Sequence, residues 1–107
     1  MTAAKIAELN DLLRTTFQGG QIMLTHGFNA LSDEIRAKAM SAMREYNDFK
    51  PDNDPHREHD FGAFEVDGVK LFFKISYYDP TMQYGSDDPA NPDITKRVLT
   101  LMLNSEW

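Results

Sequence analysis

The hydrophobic residues of this 107-residue chain follow a helical period at its start. Between residues 3 and 17 apolar side chains recur three and four positions apart, which predicts an amphipathic helix. The predicted buried positions are Ile6, Leu9, Leu12, Leu13 and Phe17, and the predicted solvated positions are Lys5, Glu8, Asp11 and Arg14. Gly19-Gly20 should end this helix, because glycine accepts the left-handed conformation that follows many helix ends.

A second helix is predicted to begin after Ser32, whose hydroxyl can accept a hydrogen bond from the first helical turn. Its apolar stripe has helical spacing and consists of Ile35, Ala39, Ala42, Met43 and Tyr46. Lys50-Pro51 lies beyond its end, because the residue before a proline avoids helical geometry. Between the two helices the pattern indicates a short strand over residues 21–25 and a turn over residues 26–29.

The pattern changes to strict alternation after residue 60, which predicts a β-hairpin over residues 61–78. Asp67-Gly68 has the composition of a two-residue type I′ turn. That turn pairs Val66 with Val69 and Phe61 with Lys74, and the same register extended backward sets His59 opposite Ser76 on the less apolar face.

Residues 94–107 fit either a strand or a helix, and the strand is favoured. A helix there would be apolar almost all round, which is hard to bury in so small a domain. The sequence therefore predicts a single α+β domain over residues 1–107, with two N-terminal helices packed on a small antiparallel sheet centred on the hairpin.

Composition excludes several classes of site. The chain has no cysteine, which excludes disulfides, thiol catalysis and cysteine-ligated metals. No apolar stretch approaches membrane-spanning length, and the N-terminal segment is amphipathic rather than a signal sequence. We therefore expect a cytoplasmic protein without a membrane partner or a cofactor.

The formal net charge of −6 is unevenly distributed. Residues 45–67 contain eight acids and two bases, and residues 79–93 contain four acids and no base, so these stretches together carry −10. A field of this sign attracts basic protein surfaces. It disfavours direct binding of DNA or RNA, because phosphate neutralisation requires clustered lysine and arginine.

The densest chemistry lies in residues 53–62, which contain two histidines, an arginine and three carboxylates. One interpretation is a turn ordered by side-chain to backbone hydrogen bonds. The alternative is a metal-dependent hydrolase or nuclease, whose metal ligands would be His56, His59, Asp54 and Asp60. General acid–base chemistry would instead pair His59 with Glu58 or Asp79, although no nucleophile is evident.

Four segments in order resemble a family of short proteobacterial proteins classed as a domain of unknown function, often found on mobile elements. The segments are residues 53–62, 74–79, 85–89 and 95–103. The resemblance implies no activity and no catalytic residues. It does imply a genetic setting in which small acidic proteins antagonise host defence.

These observations together predict a non-enzymatic acidic binding protein of the anti-CRISPR or anti-restriction type. It would occupy the basic nucleic-acid-binding surface of a host protein effector. The predicted partner-binding residues are Asp52, Asp54, Glu58, Asp60, Asp87, Asp88, Tyr77 and Tyr78.

Overall fold

The computed structural model describes residues 2–107, in which three α-helices accompany four strands and a short 3-10 helix. The helices are α1 (Thr2–Thr16), α2 (His26–Asn29) and α3 (Asp33–Glu45). The strands are β1 (Gln21–Leu24), β2 (Phe61–Val66), β3 (Val69–Tyr78) and β4 (Lys96–Leu103), and the 3-10 helix η1 is Asn104–Glu106. The α+β class is confirmed, as is the strand at the C-terminal end. The residues predicted as a turn before α3 form the extra helix α2.

The four strands form one sheet in the order β1-β4-β3-β2. The pairs β2–β3 and β3–β4 are antiparallel, whereas β1 and β4 are parallel. The prediction of an antiparallel sheet is therefore wrong for one pair. The long connection that contains α3 and the hairpin returns the chain in the direction of β1, and a parallel pair requires such a crossover.

The hairpin register is confirmed from Val66↔Val69 to Phe61↔Lys74. The predicted extension to His59 is wrong, because the last backbone bond runs from the Ile75 N–H to the Asp60 carbonyl at 2.8 Å. The φ angle of His59 is +56°, which turns the chain out of the strand and carries the side chain to the helix-covered face.

The three α-helices cover one face of the sheet, where the main core lies. Its centre contains Leu13, Phe28, Met43, Phe73, Leu99 and Leu101, each no more than 1% exposed. Ser32 caps α3 as predicted, accepting from the Ile35 N–H at 3.2 Å. Burial of this apolar area supplies the main driving force for folding.

The predicted buried face of α1 is confirmed at Ile6 and Leu13, and it is wrong toward the end of the helix. Leu12 and Phe17 are 42% and 39% exposed, whereas Arg14, predicted to be solvated, is 4% exposed. The Arg14 guanidinium donates to the Met43 carbonyl at 3.0 Å and to Asp11 at 2.9 Å. These bonds offset part of the cost of burying its charge, and Arg14 Nε stays buried without a hydrogen-bond partner among residues 2–107.

Candidate functional site

Two acid-rich loops lie at the same end of the sheet. Because β2 and β3 are antiparallel, the loop that enters β2 and the loop that leaves β3 lie at the same end. The Tyr77 hydroxyl donates to Glu58 Oε1 at 2.9 Å and ties β3 to the first loop. We call residues 52–60 and 79–93 together the acidic end.

Asp54 holds the first loop in shape. Its carboxylate is buried, and Oδ1 accepts from the backbone N–H groups of Glu58 at 3.0 Å and His59 at 3.2 Å. The two residues on either side of Glu58, Arg57 and His59, have φ angles of +58° and +56°. Such conformations are costly for residues other than glycine and require support from their surroundings. Asp54 supplies that support, so it is not exposed for contact with a partner.

His59 lies between two carboxylates and against an aromatic ring. Its Nδ1 is 3.0 Å from both oxygens of Asp11 on α1, and its Nε2 is 3.8 Å from Asp54 Oδ2. The imidazole stacks on Phe49 with ring centroids 4.0 Å apart. The carboxylates beside His59 are therefore those of Asp11 and Asp54, and not those of Glu58 or Asp79. The contact with Asp11 joins the loop to α1.

A buried polar network joins α1, β3 and β4 behind the first loop. Asn10 is fully buried, donates to the Glu58 carbonyl at 2.9 Å and to Tyr77 Oη at 2.8 Å, and accepts from Arg97 Nε at 2.6 Å. Arg97 is 1% exposed and also donates to the Pro89 carbonyl. Burial raises the pKa of Tyr77 and lowers the pKa of Arg97. Tyr77 was predicted to contact a partner, but both hydrogen bonds of its hydroxyl lie within this internal network.

The remaining predicted partner residues differ in exposure. Asp52, Asp87 and Asp88 are exposed, whereas Asp60 and Tyr78 are half-buried. Burial raises the pKa of Asp60, and the neighbouring charges of Glu58 and Asp54 raise it further. The first loop therefore concentrates negative charge that the fold leaves only partly compensated.

Two open grooves flank Arg57 and His59. One, of about 670 Å³, runs along α1 and is lined by Ala3, Ala4, Ala7, Glu8, Asp11, Arg57 and His59. The other, of about 410 Å³, lies between the loop segments around Phe49 and Pro55. Arg57 forms no ion pair with any of residues 2–107 and is exposed at the boundary of both grooves.

The predicted metal ligands do not form a ligand set. Among residues 2–107, no three His, Asp or Glu side chains converge closely enough to hold a metal ion. His56 is exposed, and His59 is occupied by Asp11. The geometry therefore gives no support to the hydrolase interpretation.

Sequence reasoning missed Asn10, Asp11 and Arg97. An asparagine and an aspartate on a helix, and an arginine at a strand end, are typical surface residues, and only tertiary packing makes them central. A weak signal did exist in the charge pattern, since Arg97 is one of few bases near the acidic end.

The fold and the site define a small α+β domain whose polar loops converge at one end of a mixed four-stranded sheet. The chain belongs to the family described as "Protein of unknown function (DUF3768)", which matches residues 24–106. The predicted resemblance to a domain of unknown function is thereby confirmed. No curated protein and no solved structure shows a significant match to the chain. Within residues 2–107, none of the helices has both the length and the apolar character needed to span a bilayer.

Proposed function

We propose that this protein is a non-enzymatic binding protein whose acidic end occupies a basic surface of a partner protein. The observation that carries the proposal is the position of two acid-rich loops at the same end of the sheet. Asp52, Asp87 and Asp88 are exposed there and form no ion pair with any of residues 2–107. Carboxylates arranged in this way complement lysine and arginine side chains on a partner.

The electrostatics of the first loop favour such a partner. Asp60 sits beside Glu58 and Asp54, and these like charges raise its pKa beyond the effect of burial. An arginine or lysine from a partner would relieve this repulsion, because an opposite charge favours the ionised carboxylate. Binding is therefore expected to be driven by charge and to weaken as salt rises.

The surfaces that match these carboxylates best are those that otherwise hold nucleic-acid phosphates. We propose a host effector of the CRISPR or restriction type as the partner, because we expect from the sequence resemblance that the protein is encoded on a mobile element. The exposed residues Asp52, Asp87 and Asp88 would make the contacts, with Tyr78 beside them. Asp54 and Tyr77 would act indirectly by fixing the shape of the loop.

A pair of charge-matched variants tests this proposal. The test variant carries Asp52→Asn, Asp87→Asn and Asp88→Asn, which are all at the acidic end. The control variant removes three negative charges around the hairpin turn, and its substitutions are Glu34→Gln, Glu65→Gln and Asp67→Asn. Both variants have the same net charge, so a difference between them reports position and not total charge.

Affinity capture from host lysate at 50 and 300 mM salt (roughly two- to threefold different Debye lengths) is the measurement. We expect wild type and the control to recover one basic nucleic-acid-binding protein, with recovery lost in the test variant and reduced by salt. Equal recovery by the test variant would contradict the proposal.

A further inference from the structure

The sheet face opposite the three α-helices carries a row of basic and aromatic side chains. Side chains alternate between faces along a strand, so Lys70, Phe72 and Lys74 of β3 share this face. The register Phe72↔Met102 and Lys74↔Thr100 extends the face onto β4. We call the surface formed by Phe61, Lys70, Phe72, Lys74, Lys96 and Trp107 the open face.

Aromatic rings form a cleft at the centre of the open face. Phe72 is its floor, with the ring of Phe61 at 5.3 Å and the ring of Trp107 at 5.2 Å, the latter nearly perpendicular at 76°. The cleft has a volume of about 200 Å³ and is also lined by Asn104. Trp107 is 77% exposed, so a large aromatic surface faces solvent. An aromatic ring held at the surface can stack on a planar ligand.

The lysines of the open face have no carboxylate partner among residues 2–107. Lys70 and Lys96 are exposed, and Lys74 Nζ lies 5.1 Å from the centre of the Trp107 ring. Lys70 and Lys74 are four residues apart on β3. Lys96 of β4 lies opposite Tyr78, which is four residues beyond Lys74, so the three lysines are evenly spaced along the strand direction. That spacing is about 13 Å. Glu65, opposite Lys70, is the acid that reduces the charge of this row.

The lysines elsewhere contrast with these three. Lys5, Lys38 and Lys50 each lie within 4.0 Å of a carboxylate. The lysines without a carboxylate partner are therefore concentrated on the face that exposes Trp107, where Phe72 is buried beneath it and Phe61 is half-buried. A flexible polyanion that carries planar groups is bound by cations that lie beside surfaces on which those groups can stack.

We propose that the open face binds single-stranded nucleic acid. Bases stack on Trp107 and in the cleft beside Phe61, while the lysines contact phosphates. An acidic peptide would also pair with the lysines, but it would leave the aromatic cleft empty. The net charge of −6 argued against nucleic acid as a partner, yet the acids that produce it lie mainly in the two loops and not on this face.

Weak, salt-dependent binding is the quantitative expectation. Three phosphate contacts on a single strand give a slope of about −2 in a plot of log affinity against log salt. Stacking of one base contributes about tenfold in affinity, within the range measured by alanine substitution. This proposal does not rest on the proposed function, because it uses a different surface.

Trp107 is the single tryptophan of the chain and so reports on its own surface. The probe is a ten-nucleotide oligothymidylate, titrated into the intact protein at low salt. We expect it to quench the tryptophan fluorescence. A ten-residue polyglutamate peptide and an abasic oligonucleotide of equal length, which keeps the phosphates and lacks the bases, should bind at least tenfold more weakly. Equal affinity for either control would overturn the proposal, as would no quenching by oligothymidylate.

Two charge-matched variants locate the site by anisotropy of a labelled oligothymidylate. The test variant carries Lys70→Gln, Lys74→Gln and Lys96→Gln, and the control carries Lys5→Gln, Lys38→Gln and Lys50→Gln. We expect at least tenfold weaker binding for the test variant, and a control within threefold of wild type. Trp107→Ala should weaken binding about tenfold without a change in the salt slope. Equal weakening in the two triple variants would refute the location.

Discussion

Removal of the small Asn10 side chain should lower the free energy of unfolding by a large amount. It is fully buried and makes three hydrogen bonds, to the Glu58 carbonyl, to the Tyr77 hydroxyl and from Arg97 Nε. Asn10→Ala removes all three at once. Tyr77 keeps its bond to the Glu58 carboxylate, whereas Arg97 Nε and the Glu58 carbonyl lose a partner.

The magnitude follows from these partners. A hydrogen bond to a charged group contributes about 1.5–3 kcal/mol, and one between neutral groups contributes about 1 kcal/mol. We therefore expect Asn10→Ala to lower the free energy of unfolding by about 3 kcal/mol, a large share of the 5–15 kcal/mol typical of a domain. Tyr77→Phe should cost about 1.5–3 kcal/mol, because it removes the hydrogen bond to the Glu58 carboxylate and leaves Asn10 Nδ2 without one of its acceptors. Because the two side chains touch, their effects should not add.

Urea unfolding at pH 7, followed by far-ultraviolet circular dichroism, measures these differences. Asn47→Ala is the matched control, since Asn47 is exposed and makes no side-chain hydrogen bond within residues 2–107. It should stay within about 0.5 kcal/mol of wild type. A loss of less than about 1 kcal/mol for Asn10→Ala would refute the view that this network organises the acidic end.

Three further predictions concern packing and pH. A methyl group at Gly62 would meet Tyr46 Cε1 at 2.6 Å, so Gly62→Ala should cost about 1–3 kcal/mol in urea unfolding, whereas Gly85→Ala should be tolerated. The pKa of Asp60 is raised in the fold, so the ionised Asp60 carboxylate opposes folding at neutral pH. Asp60→Asn should therefore raise Tm at pH 7. The gain in Tm should disappear below about pH 4, where the carboxyl group is protonated in the unfolded chain as well. The pKa of Glu106 is lowered by hydrogen bonds near the start of α2. Glu106→Gln should lower Tm at pH 7, with the difference closing as pH falls through the acid range.

Local signals made the hairpin and the Ser32 cap of α3 predictable from the sequence, whereas α1 ends at Thr16 with Phe17 at a φ of +65°, before the predicted Gly19-Gly20. Asp67-Gly68 adopts the positive φ angles of +50° and +82° that a type I′ turn needs, so the register followed from two residues and the alternation around them. The parallel pairing of β1 with β4 has no such local mark. It depends on residues nearly eighty positions apart, such as Gln21 and Val98. The position of β1 beside β4 is therefore set by the packing of the complete sheet and not by nearby residues.

The site was predictable in its location and not in its internal contacts. The first acid-rich loop, residues 52–60, does lie at the open end of the hairpin, opposite its turn, as the order of residues implied. That Asp54 points inward could not be read from the sequence, because its partners are backbone N–H groups exposed by the unusual φ angles of Arg57 and His59. The burial of Arg14 likewise depends on carbonyls at the end of α3.

The position of β4 has a consequence for synthesis of the protein. This central strand pairs with β1 on one side and β3 on the other, yet it is the last of the four to leave the ribosome. Until residues 96–103 emerge from the exit tunnel, β1 has no neighbour and the core lacks Leu99 and Leu101. A nascent chain can form the hairpin early, but its cooperative folding must wait for the final segment. Ribosome stalling upstream of β4 should therefore leave a protease-sensitive chain.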